Sequence, residues 1–357
     1  MKKRIGLLYG GKSAEHEVSL STAQAVTQAL NFNEYDVHPI FITLDGEWRV
    51  GPQLIEPAQS PEQLQFESTA VHAANNIMQF IEAHKENPFD VVFPLLHGTN
   101  GEDGTVQGFL DVLNIPYVGN GVLSSAAGMD KVVMKQLFEM ADLPQLPYVY
   151  FIRSEWEGNR SKWIEKCERK LGYPMFVKPA NLGSSVGISK ATNIQELEKA
   201  VQFALQYDRK IVVEQGVIAR EIELAVLGND TPEVSVAGEI KPVTEFYDYD
   251  SKYKDGSTVL IIPAELQGNV YQDLVGMAKK AFKAIDGSGL VRADFFVTAN
   301  NELYINEVNT MPGFTPVSMY PLLWQHTAVT YPQLIDQLIA LAIERHTEKQ
   351  KLQYKRD

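Results

Sequence analysis

The stretch Val291-Arg-Ala-Asp-Phe-Phe-Val-Thr-Ala-Asn-Asn-Glu-Leu-Tyr-Ile-Asn-Glu-Val-Asn309 predicts a β-hairpin around which the rest of the chain can be arranged. Two apolar, β-prone runs flank Asn300-Asn301, and asparagine tolerates the positive φ that a tight turn demands. Strand side chains alternate, so a two-residue turn there puts six side chains on one face. The predicted cross-strand pairs are Asp294 with Glu307, Arg292 with Asn309, and Phe296 with Ile305.

The pair Asp294 and Glu307 suggests a metal site, because two facing carboxylates repel each other and cost stability. A cation between them removes that cost, and an all-oxygen ligand set suits Mg²⁺ held beside phosphates. The alternative is a solvated hairpin face with ordinary surface charges. This stretch alone supports the two interpretations equally.

The composition is that of a soluble globular protein with two or three domains: 357 residues, 45% hydrophobic and 22% charged. The net charge of −13 argues against a nucleic-acid-binding surface, although a local basic pocket for phosphates is compatible with it. Cys167 is the single cysteine, which fits a reducing compartment. Its polar neighbours predict a thiol at the surface of a helix.

Neither a signal peptide nor a membrane span is predicted. The basic start Met1–Arg4 precedes an apolar run that ends at Gly10, too short for the hydrophobic region of a signal peptide. No stretch approaches the ~18–20 apolar residues needed to cross a bilayer. The expected location is the cytoplasm, with no membrane and no nucleic acid among the partners.

Strands and helices alternate in the first part of the chain, with apolar strands at Ile5–Tyr9, Tyr35–Leu44 and Asp90–Leu96. Continuous apolar strands separated by helices predict a parallel sheet that is covered on both faces. Ligands of such sheets lie at the carboxyl ends of the strands. The segments Gly10–Glu15 and His97–Gly104 follow two of those ends and are candidate binding segments.

The residues Gly6–Ser13 match the pattern of a phosphate-binding P-loop, G-x-x-x-x-G-K-[ST]. A P-loop must follow a strand and open a helix. Here the first glycine lies inside the apolar run, so the supposed loop is itself the strand. A P-loop kinase is therefore a minor alternative.

The segment 131–217 predicts a small α+β module built around a glycine-rich loop. A strand at Met175–Lys178 leads through Ala180–Gly187 into another strand at Ile188–Lys190. Ser184 and Ser185 in this loop offer hydroxyl and backbone N–H groups that can fold over phosphates, whereas a simple β-turn is the alternative.

Further charged residues could complete a nucleotide site. Lysines at the end of a strand or the start of a helix can hold phosphate oxygens, although an exposed lysine is common. Carboxylates at strand ends can accept hydrogen bonds from an adenine amine or from ribose. The candidates are Lys131, Lys178, Glu214 and Glu221. Beyond them, strands are predicted at Glu221–Leu227 and Val234–Ile240, helices at Asn269–Ile285 and Leu334–His346, and a loop after Pro312.

In order and spacing, the segments between residue 5 and about 320 resemble the D-alanine–D-alanine ligase family of the ATP-grasp superfamily. The matching motifs are Gly10–Ser19, Leu96–Gly104, Met129–Lys131, Val177–Pro179, Gly183–Gly187, Phe246–Tyr253, Arg292–Asp294 and Asn306–Gly313. The resemblance implies an α/β fold of three domains with ATP between the last two. These are an N-terminal parallel α/β domain (1–130), a central ATP-grasp module (131–217) and a C-terminal catalytic sheet domain (218–357).

The resemblance also implies roles for single residues. Asp294, Glu307 and Asn309 would hold two Mg²⁺ ions, which Mn²⁺ could replace. The ATP site would comprise Lys131, Lys178, Ser184, Ser185, Glu214, Gln215, Val217 and Glu221. Glu15 would bind the ammonium of the first D-alanine, in a hydrogen-bonded set with Ser184 and Tyr253, and His97 would lie near its carboxylate. Arg292 and the Gly313 N–H would stabilise the oxyanion, and Lys252 and Ser318 would hold the second carboxylate.

The activity implied is ATP-dependent joining of two D-alanine molecules through an acyl phosphate, releasing ADP and phosphate, for peptidoglycan precursor synthesis. Tyr253 favours D-alanine over D-lactate as the second substrate, since phenylalanine marks D-lactate-accepting members. A homodimer is expected from the family. The alternatives are another ATP-grasp ligase or carboxylase, and a non-catalytic nucleotide binder.

Overall fold

The structure is a computed structural model that describes residues 2–67, 73–241 and 259–353. The strands are β1 (Lys3–Gly10), β2 (Tyr35–Ile42), β3 (Trp48–Val50), β4 (Val91–Leu95), β5 (Tyr148–Ile152), β6 (Met175–Pro179), β7 (Ser189–Ala191), β8 (Lys210–Gln215), β9 (Ala219–Gly228), β10 (Glu233–Lys241), β11 (Val259–Ile261), β12 (Gly289–Thr298) and β13 (Leu303–Asn309). The helices are α1 (His16–Ala29), α2 (Ala73–Glu86), α3 (Thr105–Val112), α4 (Val122–Met129), α5 (Lys131–Met140), α6 (Arg153–Gly158), α7 (Arg160–Lys170), α8 (Ile194–Ala204), α9 (Val270–Ala284), α10 (Met319–Gln325) and α11 (Tyr331–Gln350). A 3₁₀ turn covers Pro61–Leu64.

The N-terminal sheet has the order β3-β2-β1-β4, with β1 parallel to both β2 and β4. Every residue of β4 and most of β1 is buried, as expected for parallel strands covered on both faces. The predicted parallel sheet is confirmed, and the segments after β1 and β4 meet at one edge. Strand β1 runs unbroken through Gly6, so Gly6–Ser13 does not form a P-loop.

The central sheet is antiparallel, with the order β5-β8-β6-β7. Strand β6 passes through residues 180–188 into β7, which confirms the predicted strand–loop–strand arrangement. Helices α7 and α8 contribute their apolar residues to the core of this part, including Trp163 and Val201. Cys167 is fully buried in the same core, so the prediction of a surface thiol was wrong. It lies one turn after Trp163 on the inner face of α7, and burial raises the pKa of its thiol to about 12.

The C-terminal sheet is antiparallel, with the order β11-β10-β9-β12-β13. Helix α9 packs on one face, with Leu274 and Phe282 against β9 and β12. Helix α11 instead shares a core with the N-terminal sheet, where Leu338 belongs to the same cluster as Phe93. No helix within the described ranges is long and apolar enough to cross a membrane.

The hairpin β12–β13 confirms two of the three predicted pairs, Arg292 with Asn309 and Asp294 with Glu307. The third was wrong, because Phe296 pairs with Tyr304 and Ile305 pairs with Phe295. The loop has three residues, since Thr298 N–H donates to the Glu302 carbonyl at 3.0 Å and Asn301 adopts φ 59°. A register shift between Asp294 and Phe295 then restores the predicted pairing toward the carboxyl end of β13. Ile305 accordingly faces the core.

Several short elements were not predicted. They are β3, the 3₁₀ turn, α3, α4, α6, β11 and α10. The predicted loop after Pro312 contains α10, which tolerates Pro321 because a first-turn residue needs no intrahelical N–H bond. Each of these segments is too short to show a clear hydrophobic period in sequence.

Candidate active site

The Glu15 carboxylate lies at the edge where β1 and β4 end, and it is 9% exposed. Its backbone N–H donates to Ser13 Oγ at 3.1 Å, which fixes the entry to α1. The loop after β4 packs directly onto it: a Cβ on Gly98 would meet Glu15 Oε2 at 2.9 Å, and Gly98 has φ +74°. Glycine is therefore required there for both space and conformation.

His97 is buried beside this carboxylate, at the end of β4. Its Nδ1 lies 3.2 Å from the Met311 carbonyl, and Thr22 Oγ1 lies 3.5 Å from its Nε2. Burial lowers the pKa of His97, although the charge of Glu15 and the Met311 hydrogen bond oppose this. A neutral imidazole can donate from Nδ1 to the Met311 carbonyl, whereas the Thr22 hydroxyl donates to the Val18 carbonyl at 2.8 Å.

Glu102 is a site residue with no predicted role, although it lies in the motif Leu96–Gly104. Its Oε1 accepts from the Gly98 N–H at 2.8 Å. A Cβ on Gly183 would lie 3.2 Å from Glu15 Oε2 and 3.7 Å from Glu102 Oε1, so the two carboxylates flank the glycine loop. Burial, followed by the charge of Glu15, raises the pKa of Glu102 to about 8.

The glycine-rich loop Ala180–Gly187 reaches the N-terminal part through Ser184, whose Oγ donates to Glu15 Oε1. Ser184 and Ser185 have φ values of 50° and 59°, which are uncommon for residues with a Cβ and are often found at functional sites. The structure thus brings together two members of the predicted set of Glu15, Ser184 and Tyr253. Tyr253 and Lys252 lie outside the described residues.

Lys131 lies where α5 begins, after Asp130, whose side chain accepts from two backbone N–H groups of the first turn. The Lys131 ammonium lies 3.3 Å from Glu307 Oε2 and donates to the Leu182 carbonyl at 3.0 Å. It therefore connects the hairpin β12–β13 with the glycine loop.

Glu214, at the end of β8, lies between two lysines. Its Oε2 is 2.6 Å from Lys178 Nζ, and its Oε1 is 2.8 Å from Lys135 Nζ. Burial opposes ionisation of Glu214, but the charges of Lys135 and Lys178 outweigh it and lower its pKa to about 2. Each oxygen expected to face adenine already contacts a lysine. The sequence missed Lys135, although it follows Lys131 by four residues and so shares a helix face with it.

The remaining predicted nucleotide residues follow Glu214 along the chain. Gln215 ends β8, and the next N–H, of Gly216, donates to the Pro174 carbonyl at 2.8 Å. Val217 lies between β8 and β9, and Glu221 lies on β9 opposite Phe296. Glu221 acts electrostatically on Lys178, so the C-terminal sheet approaches the central sheet here.

The hairpin carries a network of charged side chains around Arg292. Arg292 Nε lies 2.8 Å from Asp294 Oδ1 and 3.0 Å from Glu223 Oε2, and its Nη2 donates to Asp294 Oδ2 at 2.8 Å. Asn309 Nδ2 donates to the same Asp294 oxygen at 2.9 Å. Burial disfavours the cation, but Asp294 and Glu223 outweigh it and raise the pKa of Arg292. Glu223, which the sequence missed, faces Asp294 across β9 and β12.

The three predicted metal ligands, Asp294, Glu307 and Asn309, lie together at the end of this hairpin. They offer two carboxylates and one amide, a hard oxygen set that fits Mg²⁺ or Mn²⁺. In the described ranges no three His, Cys, Asp or Glu side chains cluster as a metal site. A six-coordinate ion held by these three side chains has positions left for phosphate oxygens or water.

Gly313 and Ser318 lie next to each other beyond β13, since a Cβ on Gly313 would be 3.1 Å from Ser318 Oγ. Ser318 Oγ shares a hydrogen bond with Thr315 Oγ1 at 2.8 Å and accepts from the Thr315 N–H at 3.2 Å. The turn thus holds both groups near the start of α10.

Comparison with known proteins finds family models that match both parts of the chain. Residues 4–120 match the model of the D-ala D-ala ligase N-terminus, and residues 137–340 match that of the D-ala D-ala ligase C-terminus. The D-alanine–D-alanine ligase of Bacillus licheniformis is 61% identical over 359 residues, covering 99% of each chain, and that of Bacillus velezensis is 59% identical, covering 97% of this chain and 99% of the relative.

Two solved structures share the fold at 34% identity. The D-alanine-D-alanine ligase from Coxiella burnetii has a TM-score of 0.79, covering 98% of this chain and 96% of its own. The VanG D-Ala:D-Ser ligase from Enterococcus faecalis has a TM-score of 0.80, covering 96% of this chain and 100% of its own. The extent of these matches along the whole chain shows that it belongs to the D-alanine–D-alanine ligase family.

Proposed function

We propose that this chain is an ATP-dependent ligase that joins two D-alanine molecules into D-alanyl-D-alanine, a peptidoglycan precursor, and releases ADP and phosphate. One observation carries the proposal. The loop Ala180–Gly187 touches Glu15, a carboxylate suited to a substrate ammonium, through Ser184, and touches Lys131, a phosphate-binding candidate, through the Leu182 carbonyl. One loop therefore contacts both the amino-acid site and the nucleotide site.

The reaction has two steps. With its ammonium held by Glu15, the first D-alanine attacks the γ-phosphorus of ATP through a carboxylate oxygen. The bond to the β-phosphate oxygen breaks, and an acyl phosphate and ADP form. The second D-alanine, as a free amine, attacks the acyl carbon, and the tetrahedral intermediate expels phosphate. His97 lies near the first carboxylate, and Ser318 with Lys252 binds the carboxylate of the second substrate.

The protein contributes mainly by positioning and charge, as in other phosphoryl transfers. Lys131, Lys178 and the N–H and hydroxyl groups of Ser184 and Ser185 hold the phosphate oxygens. Glu214, Gln215 and Val217 line the adenine side, and Glu221 binds the ribose. Asp294, Glu307 and Asn309 would hold two Mg²⁺ ions, which neutralise phosphate charge when bound. A folded-over loop also keeps water from the acyl phosphate.

Arg292 and the Gly313 N–H stabilise the oxyanion of the tetrahedral intermediate, an effect of about 3–4 kcal/mol per donor in comparable sites. The ion pairs of Arg292 with Asp294 and Glu223 keep its guanidinium fixed before substrate binds.

The organisation of the chain is proposed in the same terms. We assign residues 1–130, 131–217 and 218–357 to three domains. The support is that all strands of each sheet come from a single one of these segments. A cytoplasmic location and a homodimer remain proposals that rest on the family alone.

The test is ADP release by the purified protein with ATP, Mg²⁺ and either D-alanine, L-alanine or no amino acid, with mass detection of the dipeptide. D-serine and D-lactate serve as competing second substrates.

Glu15→Gln should raise the KM for D-alanine about tenfold or more, because a charge-assisted contact is lost. Glu17→Gln, at an exposed position two residues along, is the matched control and should leave it unchanged. Nucleotide turnover that ignores D-alanine would refute the proposal.

A further inference from the structure

Lys135 is a buried lysine to which the reaction above gives no role. Its side chain is 2% exposed, and it lies on α5 one turn after Lys131. Lysine is almost never fully buried unless its charge is paired, so this position needs a partner. The partner is Glu214, whose Oε1 lies 2.8 Å away.

The remaining contacts of Lys135 join three parts of the nucleotide cleft. Its Nζ lies 3.5 Å from the Asn306 carbonyl on β13, next to Glu307. It also lies 5.6 Å from the ring centroid of Tyr148, within cation–π range. One ammonium therefore connects α5, the end of β8 and the hairpin.

The charge balance of this cluster depends on Lys135. Lys178 is the more accessible of the two lysines, with 11% of its side chain exposed, and it contacts the other oxygen of Glu214 at 2.6 Å. Two lysines and one carboxylate leave one net positive charge, and Lys178 is placed to present it. Without Lys135, the charge of Glu214 would cancel that of Lys178. Glu307 and Glu221 act on Lys178 in either case, so the loss of Lys135 would lower the net charge around Lys178 by one unit.

We propose that Lys135 is a positioning residue for the nucleotide: it neutralises Glu214 and thereby leaves the Lys178 ammonium with a net positive charge for the phosphates. Lys135 itself need not touch ATP. The inference rests on the proposed function only in requiring that a nucleotide binds in this cleft.

The test is calorimetric titration of the full-length protein with ADP and Mg²⁺, without any amino acid. Lys135→Met keeps the length of the side chain and removes its charge. We expect about tenfold weaker ADP binding, equivalent to ~1.4 kcal/mol. In a Glu214→Gln background, Lys135→Met should weaken ADP binding by less than about threefold, because the carboxylate that Lys135 neutralises is gone. A role of Lys135 that does not act through Glu214 would cost the same factor in both backgrounds.

Lys170→Met is the matched control, since Lys170 lies 5.4 Å from the same Tyr148 ring, whereas the ion pairs of Glu214 within the described residues are with Lys135 and Lys178. It should bind ADP as the wild type does. Equal affinity of Lys135→Met and wild type, or an equal loss of affinity in the wild-type and Glu214→Gln backgrounds, would overturn the inference. If Lys135→Met does not fold, the comparison of Glu214→Gln with the double variant decides, since the proposal requires their ADP affinities to agree within about threefold. A wild-type protein that does not bind ADP would refute the proposed function instead.

Discussion

Single carboxylates in this site have properties that depend on their neighbours. Glu15 and Glu102 flank the same glycine loop, yet their surroundings differ, because Glu15 accepts from Ser184 and Glu102 accepts from the Gly98 N–H. Burial and the charge of Glu15 make ionisation of Glu102 unfavourable, which gives its pKa of about 8. Near neutral pH Glu102 is therefore mainly protonated and does not compete with Glu15 for the substrate ammonium.

This pKa predicts a pH dependence of stability. A carboxyl whose folded pKa is raised contributes stability below its unfolded pKa of 4.5 and loses that contribution as pH rises through about 8. Glu102→Gln mimics the neutral acid and removes the loss. We expect the Tm of the wild type, relative to Glu102→Gln, to fall steadily between pH 5 and pH 8.5, measured by calorimetry. A difference in Tm that stays constant over this range would contradict the assigned pKa.

The residues that the sequence missed show where its information ends. Lys135 shares a helix face with Lys131 by spacing, so its position could have been predicted. Its partner Glu214 is on a distant strand, and only the tertiary fold brings them together. Cys167 illustrates the same limit, because polar neighbours in sequence say little about which face of a helix is buried.

At the level of elements, the hairpin shows why a prediction with one wrong cross-strand pair still placed Asp294 opposite Glu307. Its loop contains one residue more than the Asn300-Asn301 turn allows, which displaces the pairing near the loop. The bulge in β13 places one extra residue on that strand, which cancels the displacement of the pairing caused by the loop. Asp294 therefore still faces Glu307. Bulges depend on local twist and packing, which alternation of side chains does not encode. The strand order within each sheet was likewise beyond the sequence pattern.

Arg292 on β12 forms an ion pair with Glu223 on β9. Its contributions to stability and to turnover can therefore be tested separately. Arg292→Ala leaves Asp294 and Glu223 facing each other without their cation, which we expect to cost about 3–5 kcal/mol of stability. It should also lower kcat about 10²–10³-fold through loss of an oxyanion donor while ADP binding persists. Combining Arg292→Ala with Glu223→Gln should recover most of the Tm but none of kcat. Recovery of turnover together with the Tm would reduce Arg292 to a structural role.

Over the whole molecule, the site depends on contacts between the N-terminal part and the residues that follow β13. Asn120 Nδ2 donates to the carbonyls of Leu290 and Thr310 at 2.6 and 2.8 Å, and its Oδ1 accepts from the Ser288 N–H at 2.9 Å. His97 reaches the next carbonyl, that of Met311. The sequence predicted the architecture of each part, but these contacts join segments far apart in the chain and carry no local pattern.

The last prediction tests whether these contacts serve the site or only the fold. Asn120→Ala leaves buried backbone groups unpaired at about 1–3 kcal/mol each, and it releases Thr310, which directly follows the metal-ligand candidate Asn309. The control is Asn229→Ala, since the hydrogen bonds of Asn229 within the described residues go to Ser288, Gly289, the Leu341 carbonyl and Glu344, and not to Thr310. We expect both variants to lower the Tm, measured by calorimetry, by several degrees. Only Asn120→Ala should also raise the Mg²⁺ concentration needed for half-maximal D-alanine-dependent ADP release, because a freed Thr310 no longer fixes Asn309. An equal Mg²⁺ requirement in both variants would mean that Asn120 stabilises the contact between the N-terminal and C-terminal parts of the chain without affecting metal binding.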